Sequence, residues 1–178
     1  ASDGAIQLMA SGNITDTANA GLIGDFDGRL KAYSTAGKID LSTSTTNAMK
    51  TVSLKTDTTA SDGSIKYYDT TDLTLNTVAN NLSTLVTPNG TSANLAATTM
   101  GASTVAGGAN GAITIRAGNT SNTHTLDVMQ AISTKSATAN TSGANVILEA
   151  AGNISTATTN GTLTTSGNGT GAAGEVFI

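Results

Sequence analysis

One phrase recurs along the chain: a turn residue and Gly, an apolar/polar alternation of three to five residues, about four small residues, then a second such alternation. It reads Asp3-Gly4-Ala5-Ile6-Gln7-Leu8 before Gly12-Asn13-Ile14, and Asp27-Gly28-Arg29-Leu30-Lys31-Ala32 before Gly37-Lys38-Ile39-Asp40-Leu41. It returns as Asp62-Gly63-Ser64-Ile65-Lys66-Tyr67 before Asp72-Leu73-Thr74-Leu75, and as Gly143-Ala144-Asn145-Val146-Ile147-Leu148 before Gly152-Asn153-Ile154. Further copies of the strand phrase are Asn110-Gly111-Ala112-Ile113-Thr114-Ile115, Asn160-Gly161-Thr162-Leu163 and Gly174-Glu175-Val176-Phe177-Ile178. Repeats govern the fold of a chain before any single residue does, because one unit cannot bury its apolar face alone.

Alternation of period two is the mark of a strand, whose successive side chains point to opposite faces. Ile6/Leu8, Ile39/Leu41, Ile65/Tyr67, Leu73/Leu75, Ile113/Ile115 and Leu126/Val128 are therefore each expected to face one interior. The Asp-Gly and Asn-Gly pairs between strands suit either a β-hairpin or the corner of a coil. Two architectures follow: a β-sandwich, or a right-handed parallel β-helix. The coil is the expected one, because the strands are shorter and closer than the ~8–12-residue turn spacing of a sandwich. At roughly 18–30 residues per coil, about six to nine coils are expected, a rod of order 30–45 Å.

Composition agrees with a slim interior. Leu, Ile, Val and Phe make up only 33 of 178 residues, while Thr occurs 34 times and Ala 27. That apolar share borders on disorder, but the net charge of -4 is too small for a self-repelling chain. A β-helix needs few large side chains, and stacked Thr and Asn form ladders between coils. The chain reads as a single solenoid domain over 1–178, with an irregular insertion at about 76–110. Within it Leu75, Val78, Leu82 and Leu85 have helical spacing, but Asn80-Asn81 and Pro88-Asn89-Gly90 favour a strand and a protruding loop. Gly101 to Gly111 is expected to be an excursion or corner.

Gly143-Ala-Asn-Val-Ile-Leu-Glu-Ala-Ala-Gly-Asn-Ile-Ser155 resembles the repeat region of filamentous-haemagglutinin-type exoproteins, the bacterial two-partner-secretion β-helices. The tail from Gly161 to Ile178, with its Ser/Thr strand, Gly-Asn corner and Gly-x-Val-x-Ile strand, is similar to the same family. The resemblance covers roughly 1–75 and 110–178. It implies a fibrous stalk exported to the cell surface and used in adhesion, biofilm or cell contact. No amino-terminal secretion domain is recognisable in the sequence.

Chemistry-bearing residues are sparse. Lys and Arg number eight and are scattered, so nucleic acid is not an expected partner. No apolar run approaches the ~20 residues of a membrane-spanning helix, no signal peptide is recognisable, and the absence of Cys leaves the compartment open. His124 is the only histidine and reads as a loop or surface residue. Asp25, Asp27, Asp62, Asp69 and Asp72 suit Ca²⁺ in kind, but corner-forming Asp residues that cap their own turns are the expected reading. A β-helix carbohydrate enzyme needs paired carboxylates or a basic catalyst, for which the chain offers Glu149, Glu175, Arg29 and Arg116. No catalytic, cofactor or metal residue is assigned. Of Tyr67 and Tyr68, alternation sends one ring inward and the other outward, where it meets solvent or a glycan. Eight Asn-x-Ser/Thr sequons occur, at Asn13, Asn81, Asn89, Asn119, Asn140, Asn153, Asn160 and Asn168.

The chain opens and closes on strand phrases without a polar cap, so the expected partners are adjoining segments of one long chain, or other copies stacked end to end. Surface glycans or neighbouring cells are the further expected partners. The expected role is a non-enzymatic extracellular fibre or adhesin segment. The alternative in another structural class is a pilin-like sandwich subunit completed by strand exchange, with antiparallel pairing.

Overall fold

The computed structural model describes residues 5–18, 20–22, 27–57, 62–78, 85–86, 92–93, 100–104, 111–118, 123–136 and 138–178. Seventeen short strands follow in order: β1 (Ala5–Ala10), β2 (Ile14–Thr15), β3 (Arg29–Ser34), β4 (Ile39–Leu41), β5 (Thr51–Thr56), β6 (Ile65–Asp69), β7 (Leu73–Leu75), β8 (Leu85–Val86), β9 (Ser92–Ala93), β10 (Met100–Thr104), β11 (Ile113–Ala117), β12 (Leu126–Val128), β13 (Ala131–Ser133), β14 (Val146–Ala150), β15 (Ile154–Thr156), β16 (Leu163–Thr164) and β17 (Val176–Phe177). No α-helix occurs among the described residues.

Chain order is also stacking order. One sheet climbs β2-β4-β6-β11-β14-β17 without a reversal. The other climbs β1-β3-β5 and then divides, so that β7 and β10 lie side by side over β5. Val52 pairs with Leu75 of β7, and two residues further on Leu54 pairs with Ala102 of β10. The division persists: β12 and β13 form the next level, β15 and β16 the one after. The result is six levels of two-sheet coil, at ~4.8 Å each roughly 29 Å tall. Every pairing between these levels is parallel, and β8 with β9 is the one antiparallel strand pair among the described residues. That is a solenoid-like arrangement and not the antiparallel pairing of a sandwich.

Side chains fill the interior in columns. Ile14, Ile39, Ile65, Ile113 and Val146 succeed one another by register along one inner face, and Val176 of the last level continues the register but is exposed. Leu41, Tyr67, Ile115 and Leu148 form the adjacent column. The expected inward pairs from Ile39/Leu41 to Leu126/Val128 are all buried, and Ile6 and Leu8 of the first level are partly so. Burying each Leu or Ile is worth ~1.5–3 kcal/mol, and a narrow coil needs only two or three per strand.

Hydroxyls close the coil where the two sheets meet. Thr56 donates to the Gly63 carbonyl at 2.6 Å, Thr134 to Ala144 at 2.5 Å and Thr165 to Gly174 at 2.8 Å. Ser34 donates to Gly12 O at 2.7 Å and accepts from Gly37 N at 2.9 Å. Each acceptor carbonyl lies two residues before a strand of the opposite sheet. Ser34, Thr56 and Thr134 are fully buried, so here Ser and Thr are core residues whose polar atoms are all committed. Close backbone approach explains Gly143, whose Cβ would sit on the Thr165 carbonyl oxygen of the next coil.

Most of the insertion expected at about 76–110 lies outside the described residues. Met100–Thr104, whose last four residues open the Gly101 to Gly111 stretch expected to be an excursion or corner, is β10, held on both sides by β5 and β13. Its small residues carry no alternation to read; the flanking backbones impose the strand. Of the helical spacing considered there, Leu75 lies in β7, Val78 is buried just after it and Leu85 lies in β8, while Leu82 is outside the described residues.

Candidate functional site

Asn47, in the corner after β4, has no exposed surface. Its Oδ1 accepts from Leu22 N at 2.9 Å, and its Nδ2 donates to Leu41 O at 2.9 Å and Tyr68 O at 3.1 Å. One side chain thus ties three successive coils. Asp16 Oδ2 lies 3.3 Å from the same Nδ2, and its carboxylate accepts from Thr43 N at 3.1 Å and Ser44 N at 3.0 Å.

Beside it, the end of β6 places Asp69 with 2% of its surface exposed. Met49 N donates to its Oδ2 at 2.8 Å and the Tyr67 hydroxyl to the same oxygen at 2.6 Å; Thr71 donates twice to Oδ1, from N at 2.8 Å and Oγ1 at 2.7 Å. Burial pushes the Asp69 carboxyl above the usual range, against those four donors. Burial, with the neighbouring Asp69 charge, also pushes the Tyr67 hydroxyl well up. With each oxygen doubly engaged, Asp69 is a structural anchor of the corner.

Above this anchor the outer face of the sheet carries a column with one member per level. Tyr68 of β6 is paired by register with Arg116 of β11, and Arg116 with Glu149 of β14. The Arg116 guanidinium stands 5.7 Å from the Tyr68 ring centroid, within cation–π range. Its Nε is 3.9 Å from Glu149 Oε2, too long for a hydrogen bond. Between the column and the preceding corner opens a cleft of about 210 Å³, lined by Ser42, Thr45, Tyr68, Asp69, Thr70 and Arg116 among others.

The other residues singled out by sequence are dispersed. Alternation places the two tyrosines as expected, Tyr67 inward and Tyr68 outward. His124 is one-third exposed, its Nδ1 3.3 Å from Asp72 Oδ1. Thr125 N donates to that same Asp72 oxygen at 2.8 Å, and this bond, aided by His124, holds the Asp72 carboxyl below its ordinary value. Asp62 and Asp69 each accept from the amide two residues on, capping their own turns. Asp27 is exposed, Asp25 lies outside the described residues, and no group of three or more metal-type ligands occurs among the described residues. Glu149 sits beside Arg116, whereas Glu175 flanks Asn145 at the other end of β14, so the two glutamates do not converge. Asn13 and Asn140 spend their Oδ1 atoms on Lys38 N and Thr170 N of the next coil. Asn153 and Asn160 are exposed, and Asn81, Asn89 and Asn119 lie outside the described residues.

Sequence reasoning missed Asn47, which sits in a Ser/Thr-rich run without any periodic mark. It also missed the pairing of Tyr68 with Arg116. That pairing had a signal: aligning Ile65, Ile113 and Val146 as first inward residues puts Tyr68, Arg116 and Glu149 at one shared offset. Comparison with protein-family models, with curated proteins and with solved structures returns no match.

Proposed function

We propose that this chain is a segment of an extracellular, cell-surface fibre of the filamentous-haemagglutinin kind, non-enzymatic, acting in attachment or cell–cell contact through length, rigidity and display. The observation that carries the reading is the uninterrupted parallel stacking of six levels. Its inter-coil hydrogen bonds run along one axis, as a load-bearing rod requires. The coil is taken to be right-handed, since parallel strands of L-residues joined within one sheet cross over in that sense in ~98% of cases. Adjoining coils, from the same long chain or another copy, would extend the ladder by strand addition to the outer edges of the first and last levels.

Electron microscopy of the native cell-surface material tests this. Rods of constant width with a ~4.8 Å axial repeat in diffraction are expected. Compact particles of uniform size would refute a fibre.

A further inference from the structure

We propose that the cleft beside Tyr68 and Arg116 binds one neutral pyranose ring of a glycan. The inference is independent of the fibre reading, since it needs only the local register of β6 and β11 and the corner after β4.

The polar groups around the cleft sort by what they still have to offer. Ser42 Oγ spends its proton on Asp40 at 2.6 Å, and Thr70 Oγ1 spends its own on Asn47 O at 2.8 Å. Both hydroxyls therefore present lone pairs to a ligand and accept its O–H groups. Arg116 supplies the opposite function. No hydrogen bond among the described residues engages its guanidinium, and one-third of its side chain is exposed. A ligand that fits must donate to Ser42 and Thr70, accept from Arg116 and lay a C–H face on the half-buried Tyr68 ring, whose π face is negative. A sugar alternates hydroxyls that donate and accept around an apolar ring face, and so meets all three demands.

Charge argues against an anion. The Asp69 carboxylate lines the cleft, the Ser42 and Thr70 hydroxyl protons that would solvate an anion are spent on Asp40 and on Asn47 O, and the chain carries a net charge of -4. Size argues for one ring: about 210 Å³ is below the ~300–1,000 Å³ of pockets that enclose a drug-sized ligand. A single ring in a half-open cleft binds weakly, with Kd on the order of 1 mM.

The test is titration of the whole protein with methyl glucoside, methyl galactoside, methyl mannoside, glucuronate and inorganic sulfate, read by amide chemical shifts. At least one methyl hexoside is expected to saturate and to shift residues around Tyr68, Thr70 and Arg116. Arg116→Gln should weaken it about tenfold, whereas Tyr68→Phe, which keeps the ring, should stay within about twofold of wild type. Tyr68→Ala should abolish saturation, with protected amides in β11 and β14 showing that the coil persists; if that variant unfolds, Arg116→Gln against Tyr68→Phe carries the comparison. Tighter binding of glucuronate or sulfate than of every hexoside, equal affinity of Arg116→Gln and wild type, or no saturation by any probe would overturn the assignment. Fibres without sugar binding, or sugar binding without fibres, separate this inference from the proposed function.

Discussion

Replacing Asn47 by Ala is expected to loosen the junction of three coils at once. The substitution deletes the acceptor of Leu22 N and the donor to Leu41 O and Tyr68 O, with Asn47 fully buried. Leaving a buried polar group unpaired costs ~1–3 kcal/mol. Leu22 is half-buried, so water can reach its N–H and its share is discounted; the two carbonyls dominate. The sum is a loss of about 2–6 kcal/mol, which at a mid-range urea slope of ~2 kcal/mol/M lowers the unfolding midpoint by ~1–3 M. Urea titration by circular dichroism measures that shift. Hydrogen exchange localises it: the Leu22 amide should lose protection, while Lys50 N, bonded to Gly28 O at 2.9 Å, keeps it. A midpoint within experimental error of wild type, or an unchanged Leu22 amide, would refute the claim that this side chain joins the coils.

Three further outcomes follow from the same contacts. Thr56→Val keeps shape and strips the donor from Gly63 O, so a loss of ~1–3 kcal/mol in urea unfolding is expected; a neutral result would mean the hydroxyl closure of the coil is dispensable. Burial raises the Tyr67 pKa above its ordinary 10.0, so its stabilising share is complete below that pH and falls as pH rises above it, by ~1.4 kcal/mol per unit. Tyr67→Phe should cost ~1 kcal/mol at pH 7 through the lost bond to Asp69, yet flatten that alkaline decline in thermal unfolding. The Tyr33 hydroxyl, bonded to Asp57, partly buried and near its charge, is pushed up to about 12; Asp57→Asn should bring its ultraviolet titration back toward 10.

Much of the architecture was legible in the residues because both of its signals are local. Alternation such as Ile65-Lys66-Tyr67-Tyr68 is decided within a few residues, and each Asp-Gly or Asn-Gly pair marks a corner without reference to the rest of the chain. From these came the inward pairs and the outward Tyr68, while the expectation of parallel coils came from how short and closely spaced the strands are. β10 escaped notice because Gly-Ala-Ser carries no pattern, and its strand exists only through its neighbours β5 and β13. Asn47 escaped because an Asn among Ser and Thr looks like any turn residue until the carbonyls of Leu41 and Tyr68 are placed around it.

The candidate cleft depends on stacking. Tyr68 and Arg116 stand 48 positions apart in the chain, and that interval includes the segment inserted between β7 and β10. A one-residue slip in the pairing of β6 with β11 would turn every side chain of one strand to the other face. Residue types and their periods told which atoms go inside. Which atoms meet on the outside was left to register, an agreement between distant segments that inter-strand hydrogen bonds and the packed columns of Ile and Leu enforce together.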